Sequence, residues 1–252
     1  MKKILTLSAG GNKLKAILQK PEGAESCPLV ILMHGFMANM RLEPLKSLAK
    51  ELERRGIASL RFDFDGHGRS YGKFSEMTPL RELQDARDVF DYALSLPFAS
   101  SISLCGHSQG GVVAGMLAGE RKDQVKCLVQ LAPAAVLRDD ALRGTLMGKS
   151  YNPANPPRTL SVLFHKVGRD YLTQAQTLPI YETSACYRGP VCLIHGKEDR
   201  IVPYSYSEKY HETYSCSELH LLSGENHIMS KKRKEVIRIA ADFIGRSVKG
   251  VL

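Results

Sequence analysis

Ile102-Ser103-Leu104-Cys105-Gly106-His107-Ser108-Gln109-Gly110-Gly111-Val112-Val113-Ala114-Gly115 is the stretch on which the reading of this chain turns. Ile102–Cys105 is a short apolar run of the kind that forms a buried strand, and Gly110–Ala118 is a run of small residues suited to a closely packed helix. Between them, Gly106-His107-Ser108-Gln109-Gly110 matches G-x-S-x-G. A turn this tight holds the serine in a strained conformation with its hydroxyl exposed, and the flanking glycines remove the side chains that would clash. The helix that starts there aims its free N–H groups toward developing negative charge. Ser108 is therefore the candidate nucleophile.

Outward from this turn, strands and helices alternate. Lys3–Ser8 and Lys13–Gln19 read as strands joined by a turn at Gly10-Gly11-Asn12, and Pro28–Met33 and Ile57–Phe62 as strands buried on both faces. Leu45–Arg55 and Leu80–Leu96 carry helical periodicity, the latter with Leu83, Ala86, Val89, Phe90 and Ala93 on one stripe. Lys126–Leu131, Val191–Ile194 and Leu219–Leu222 are further strands, and Lys234–Phe243 is the last helix. The pattern predicts an α/β fold with a doubly wound, mostly parallel sheet. Pro133 to Ala185 breaks it, with Asn152-Pro153 and Pro156-Pro157 inside. A long irregular insertion in a single domain is expected to be a cap over the site.

A serine hydroxyl needs a base, and the base needs an orienting carboxylate. Downstream of Ser108 lie His165, His195, His211, His220 and His227. His165 falls in the insertion, His211 on a helix and His220 within a strand, while His195 ends a strand where a structural role is expected. His227, in the loop Gly224-Glu225-Asn226-His227, can reach over the carboxyl edge of the sheet and is the candidate base. Asp199, after the strand Val191–Ile194, is the candidate acid; Glu198 beside it is expected to face solvent, and Asp170 is the rival. The oxyanion donors are assigned to the backbone N–H groups of Gln109 and of Phe36, in His34-Gly35-Phe36. The glycine-rich Arg61–Ser70 meets no phosphate-loop spacing and is read as a tight loop bracing the site.

With 252 residues, 43% of them hydrophobic and 24% charged, the chain can bury one large core. The net charge of +9 is scattered, and the one dense run, Lys231 to Lys234, is read as a solvated helix face with no nucleic-acid motif beside it. The six cysteines form no CxxC pair or framework, and no His, Cys and carboxylate group has metal-ligand spacing. Reduced thiols and a cytoplasmic setting are expected. The opening Met1–Gly10 has too short an apolar stretch for a secretory leader and is read as a strand. No segment approaches a membrane span, so neither a membrane nor a nucleic-acid partner is expected; a homodimer is left open.

With these residues in place the chain resembles the α/β-hydrolase superfamily nearly end to end, and more closely the bacterial cinnamoyl (feruloyl) esterases. The second likeness rests on Arg61-Phe62-Asp63-Phe64, Leu131-Ala132-Pro133-Ala134-Ala135 and Leu178-Pro179-Ile180-Tyr181-Glu182. It implies an α/β-hydrolase fold over 1–252 with a cap at about 133–185, no cofactor, and hydrolysis of hydroxycinnamate esters through an acyl-enzyme. It also implies that Asp140 and Tyr171 of the cap hold the substrate's phenolic hydroxyl. Met147 stands where some relatives carry a glutamine, which leaves the preference among ferulic, caffeic and coumaric esters open. The alternatives are a short-chain carboxylesterase or lipase, or an acyl-thioesterase. A non-catalytic ligand receptor is the remote one, since such proteins lack a triad member. A peptidase is less in keeping, because such relatives usually carry a propeller domain.

Overall fold

The apolar runs become strands at or near the positions their periodicity predicts. In the computed structural model, which describes residues 1–9 and 11–251, β1 (Lys2–Ala9) and β2 (Asn12–Gln19) pair antiparallel. Gly10, in the expected turn between them, lies outside the described residues. There follow β3 (Cys27–Met33), α1 (Leu45–Arg54), β4 (Ala58–Phe62), α2 (Pro79–Leu94), β5 (Ala99–His107), α3 (Gln109–Glu120) and β6 (Val125–Leu131). The insertion then holds α4 (Val136–Arg143), β7 (Thr145–Leu146), β8 (Lys149–Ser150), β9 (Thr159–Val162), β10 (His165–Gly168), α5 (Arg169–Gln174) and α6 (Ile180–Ser184). β11 (Val191–Gly196), α7 (Ser205–Thr213), β12 (Ser217–Leu222) and α8 (Arg233–Val248) complete the chain.

Eight strands make one sheet in the order β1-β2-β4-β3-β5-β6-β11-β12. The pairings from β4 through β12 are parallel, and β1 and β2 add an antiparallel edge. β3 shows why a continuous apolar run marks a central strand. Leu29, Ile31 and Met33 pack on one face with Val89 and Phe90 of α2 and Val113 and Leu117 of α3. Val30 and Leu32 pack on the other with Leu48 and Leu52 of α1 and Val236 and Ala240 of α8. Each is fully buried, so truncating Leu32 to alanine removes ~2–5 kcal/mol.

The insertion is more ordered than its irregular sequence suggests. It contains two hairpins, β7–β8 and β9–β10, and short helices. Strands of two to four residues are too short for a period of two to register. Among the described residues no helix is long and apolar enough to cross a membrane.

Candidate active site

Ser108 occupies a backbone conformation that L residues rarely adopt, with φ 58° and ψ −124°, at the junction of β5 and α3. Such a residue costs of order 1–3 kcal/mol and persists only where its surroundings fix it. Here Ser108 N–H donates to Leu131 O at 2.9 Å, and Ser108 O accepts from Gly111 N at 2.8 Å and Ala134 N at 3.1 Å. Close approach explains Gly35: a Cβ there would lie 2.8 Å from Ser108 Cβ. Gly110 fits for the same reason, since its Cβ would strike the backbone oxygens of His34 and Met33.

The structure brings Ser108, His227 and Asp199 into one hydrogen-bonded line. His227 Nε2 lies 2.9 Å from Ser108 Oγ, and His227 Nδ1 lies 2.7 Å from Asp199 Oδ2. The Asp199 carboxylate is fully satisfied, because Oδ1 also accepts from Ile201 N and Val202 N, both at 2.8 Å. Burial alone would raise its carboxyl, but the hydrogen bonds from His195 and His227 outweigh that and hold it well below the usual range. An ionised Asp199 can only accept, so His227 carries its proton on Nδ1. Nε2 then presents a lone pair to the serine hydroxyl, the tautomer a base requires.

The loop that carries His227 is built by Glu225, fully buried, whose carboxylate accepts Asn226 N at 2.7 Å and Lys231 N at 3.0 Å and also receives Lys232 N. His107 Nε2 pins the same loop, 2.7 Å from His227 O. His195, expected to be structural, holds the acid. Its Nε2 faces two acceptors, Asp199 Oδ2 at 3.1 Å and Val202 O at 3.0 Å, so it bears the hydrogen, while Nδ1 takes the Ser207 hydroxyl at 2.7 Å. Asp170 lines a different groove with Arg158 and Arg169, and His165, His211 and His220 lie on β10, α7 and β12, outside the line. The Glu198 side chain is exposed and accepts Gly224 N.

Ser108 opens into a cavity of about 270 Å³ whose walls include Phe36, Gln109, Asp140, Met147 and Tyr171. All five residues assigned from sequence to the oxyanion donors and the cap pocket thus meet around the serine. Among the described residues neither Phe36 N–H nor Gln109 N–H donates to another group. Asp140 is paired with Arg143, and Met147 sits at φ 49° in the β7–β8 turn, followed by Gly148 at φ 77°. Tyr171, 3% exposed, donates its hydroxyl to Gln109 Oε1 at 2.6 Å.

Four contributors went unread in the sequence. Glu82 on α2, 1% exposed, accepts Gln109 Nε2 at 2.6 Å. Its place on the Ala86–Val89–Ala93 stripe was the signal available, a carboxyl on a buried face. Burial pushes it up to about 8, against the lowering effect of the Gln109 bond. Arg200, Ile201 and Val202 also line the cavity, with no pattern that could have marked them.

The loop after β4 braces the site, as its sequence suggested. Asp63 accepts Met40 N at 2.7 Å and Arg69 N at 2.8 Å, and His34 Nε2 accepts Phe64 N at 3.1 Å. Spacing along the chain missed one group of metal-ligand type, Cys192, Glu218 and His220 on neighbouring strands, with ligand atoms within 4.8 Å of one another. Its carboxylate is already engaged by Arg246 at 3.1 Å and His220 at 3.1 Å, and burial keeps the Cys192 thiol protonated.

The family model described as serine aminopeptidase, S33, matches residues 24–176. The chain belongs to this family of α/β-hydrolases. Its structure superposes on Est1E from Butyrivibrio proteoclasticus with ferulic acid bound at a TM-score of 0.95 and 32% identity, covering 97% of this chain and 99% of the other. In sequence it is 27% identical to human Protein ABHD12B over 73% of this chain and 49% of that protein. It is also 27% identical to the mitochondrial palmitoyl-protein thioesterase ABHD10 of mouse, over 71% of this chain and 61% of that one. The chain thus spans about half the length of the curated relatives it matches.

Proposed function

We propose that this protein is a serine carboxylic-ester hydrolase that cleaves hydroxycinnamate esters through an acyl-enzyme. The observation that carries the reading is the line Ser108–His227–Asp199 opening into a small cavity walled by Phe36, Gln109, Asp140 and Tyr171. Its likeness to the ferulic-acid complex of Est1E over nearly the whole of both chains supports the acyl group.

In this reading Ser108 Oγ attacks the ester carbonyl as its proton passes to His227 Nε2. The imidazolium is stabilised by Asp199, which stays ionised throughout. The oxyanion accepts from the amides of Phe36 and Gln109, each worth ~2.7–4 kcal/mol in comparable sites. Collapse of the tetrahedral intermediate breaks the C–O bond, and His227 returns its proton to the departing alkoxide. Water, deprotonated by His227, repeats the sequence on the acyl-enzyme and frees the acid. Asp140 accepts the phenolic hydroxyl and Met147 forms a wall; Tyr171, expected from the resemblance to hold that hydroxyl as well, lines the cavity but donates its own hydroxyl to Gln109 Oε1.

Cavity size and charge argue against the alternatives. A volume of about 270 Å³ falls just under the ~300–1,000 Å³ of sites for drug-sized ligands, which suits a single-ring acid better than a palmitoyl chain. An aminopeptidase needs a carboxylate for the substrate's ammonium, and among the described residues the one carboxylate lining this cavity, Asp140, already has Arg143 as a partner. The six cysteines, all unpaired, support a reducing compartment such as the cytoplasm.

The test is kcat/KM for methyl ferulate, p-nitrophenyl butyrate, a palmitoyl thioester and an aminoacyl p-nitroanilide, with Ser108→Ala and Asp140→Ala beside the wild type. We expect methyl ferulate to lead, Ser108→Ala to abolish turnover, and Asp140→Ala to lower ferulate turnover about tenfold while sparing the butyrate. A lead for the thioester or the anilide would replace the hydroxycinnamate reading.

A further inference from the structure

Tyr171, in the insertion, touches both carriers of the oxyanion donors. Its ring packs on Phe36, with centroids 5.5 Å apart, and its hydroxyl donates to Gln109 Oε1 at 2.6 Å. Gln109 is held from the opposite side by Glu82, whose Oε2 accepts its Nε2 at 2.6 Å. The side chain of the residue after the nucleophile is therefore clamped between the cap and α2, and it is 2% exposed. A free glutamine side chain has rotamer freedom to lose, and hydrogen bonds to both ends of this amide restrict it.

Beyond Glu82 lies His67, also buried. His67 Nδ1 faces Asp65 O at 3.2 Å, so it bears the hydrogen and leaves a lone pair on Nε2. His67 Nε2 and Glu82 Oε1 lie 3.9 Å apart, beyond hydrogen-bond reach, and both are buried without a hydrogen-bond partner among the described residues.

We propose that Tyr171 is a positioning residue that completes the oxyanion hole from the cap, acting through the side chain of Gln109 and the ring of Phe36. Its hydroxyl proton is spent on Gln109, not on the substrate. Docking of the cap and assembly of the oxyanion hole are then one event. This inference rests on the ester-hydrolase reading above.

The experiment measures the rate of Ser108 labelling by a fluorophosphonate, together with kcat and KM for methyl ferulate and p-nitrophenyl acetate. The proteins are wild type, Tyr171→Phe, Gln109→Met and the double variant. Tyr171→Phe keeps the ring on Phe36, and Gln109→Met keeps the backbone N–H, so each removes only the clamp. We expect labelling and kcat to fall about 10- to 100-fold in each single variant, for both esters alike, with KM little changed. The double variant should be no worse than either single, because one path is cut twice. Wild-type labelling rates in Tyr171→Phe, with a rise in KM confined to ferulate, would overturn the inference and return the hydroxyl to substrate binding. Additive losses would also overturn it. If Tyr171→Phe fails to fold by circular dichroism, Gln109→Met carries the same outcomes. Absence of labelling in the folded wild type would instead sink the ester-hydrolase reading itself.

Discussion

Two hydrogen-bonded chains leave the Ser108 turn in opposite directions, and each ends on a buried carboxyl. One runs through His227 to Asp199; the other runs through the neighbouring Gln109 to Glu82. Asp199 has no exposed side-chain surface and Glu82 almost none, yet they lie on opposite sides of neutrality. Asp199 meets four donors, two backbone amides and two imidazoles, and is held well below the usual carboxyl range. Glu82 meets one amide donor, and burial pushes it up to about 8. Burial alone therefore does not decide the charge of a carboxyl; the count of donors aimed at it does. The same contrast assigns roles, an anion to orient the base and a neutral acid to hold the oxyanion side still.

The largest effect should come from breaking the charged chain. Asp199→Asn keeps the shape but replaces an acceptor with an amide, which favours the wrong His227 tautomer. A loss of about 10⁴-fold in kcat is expected, with folding intact by circular dichroism. If the loss is below tenfold, the charge of Asp199 is not what orients His227. A smaller loss, about 10-fold, is expected for His195→Phe, which leaves Asp199 its charge and three of its four donors.

The two chains differed in how visible they were in the sequence. Ser108, His227 and Asp199 could be read because each sits just after a strand, where the fold delivers its loops to one edge. The sheet could be read for a similar reason: β3 is apolar at every position because both of its faces are covered. The second chain offered no such rule. Gln109 was assigned for its backbone N–H, and the clamp on its side chain depends on Tyr171, which is 62 residues away. Glu82 lies on α2, and only the sheet order brings that helix against α3. Cap hairpins of two residues per strand leave no period to detect, which is why that segment read as irregular.

Removing the titration of the neutral chain, with its hydrogen bond to Gln109 kept, should show in stability more than in turnover. Glu82 shifts from an ordinary value of 4.5 up to about 8, so between these limits the folded protein keeps a proton that the unfolded chain has lost. Stability should therefore be fully present below about pH 4.5 on this account and fall as pH rises toward 8. Glu82→Gln removes that titration and keeps an acceptor for Gln109. It should flatten the decline between pH 5 and 8 by a few kcal/mol at most, measured by urea denaturation at a series of pH values. Asp85, raised to about 7 by burial, titrates in the same window and should leave a residual slope. An unchanged slope in Glu82→Gln would mean that Glu82 is ionised in the folded protein, and the contrast with Asp199 would collapse.

A third carboxyl, Asp140, sharpens the comparison because it belongs to neither class. It borders the cavity, its side chain is 28% exposed, and its partner Arg143 is 58% exposed. A pair open to water contributes little, so Arg143→Met should change the kcat/KM for methyl ferulate by only about two- to fivefold. The direction is informative. If Arg143 competes with the substrate's phenol for Asp140, removing it should strengthen ferulate binding and lower KM. If Arg143 holds Asp140 in the rotamer that meets the phenol, KM should rise. Either shift should vanish for p-nitrophenyl acetate, which carries nothing for Asp140 to accept; an equal shift on both esters would place the effect of Arg143 on the cap as a whole.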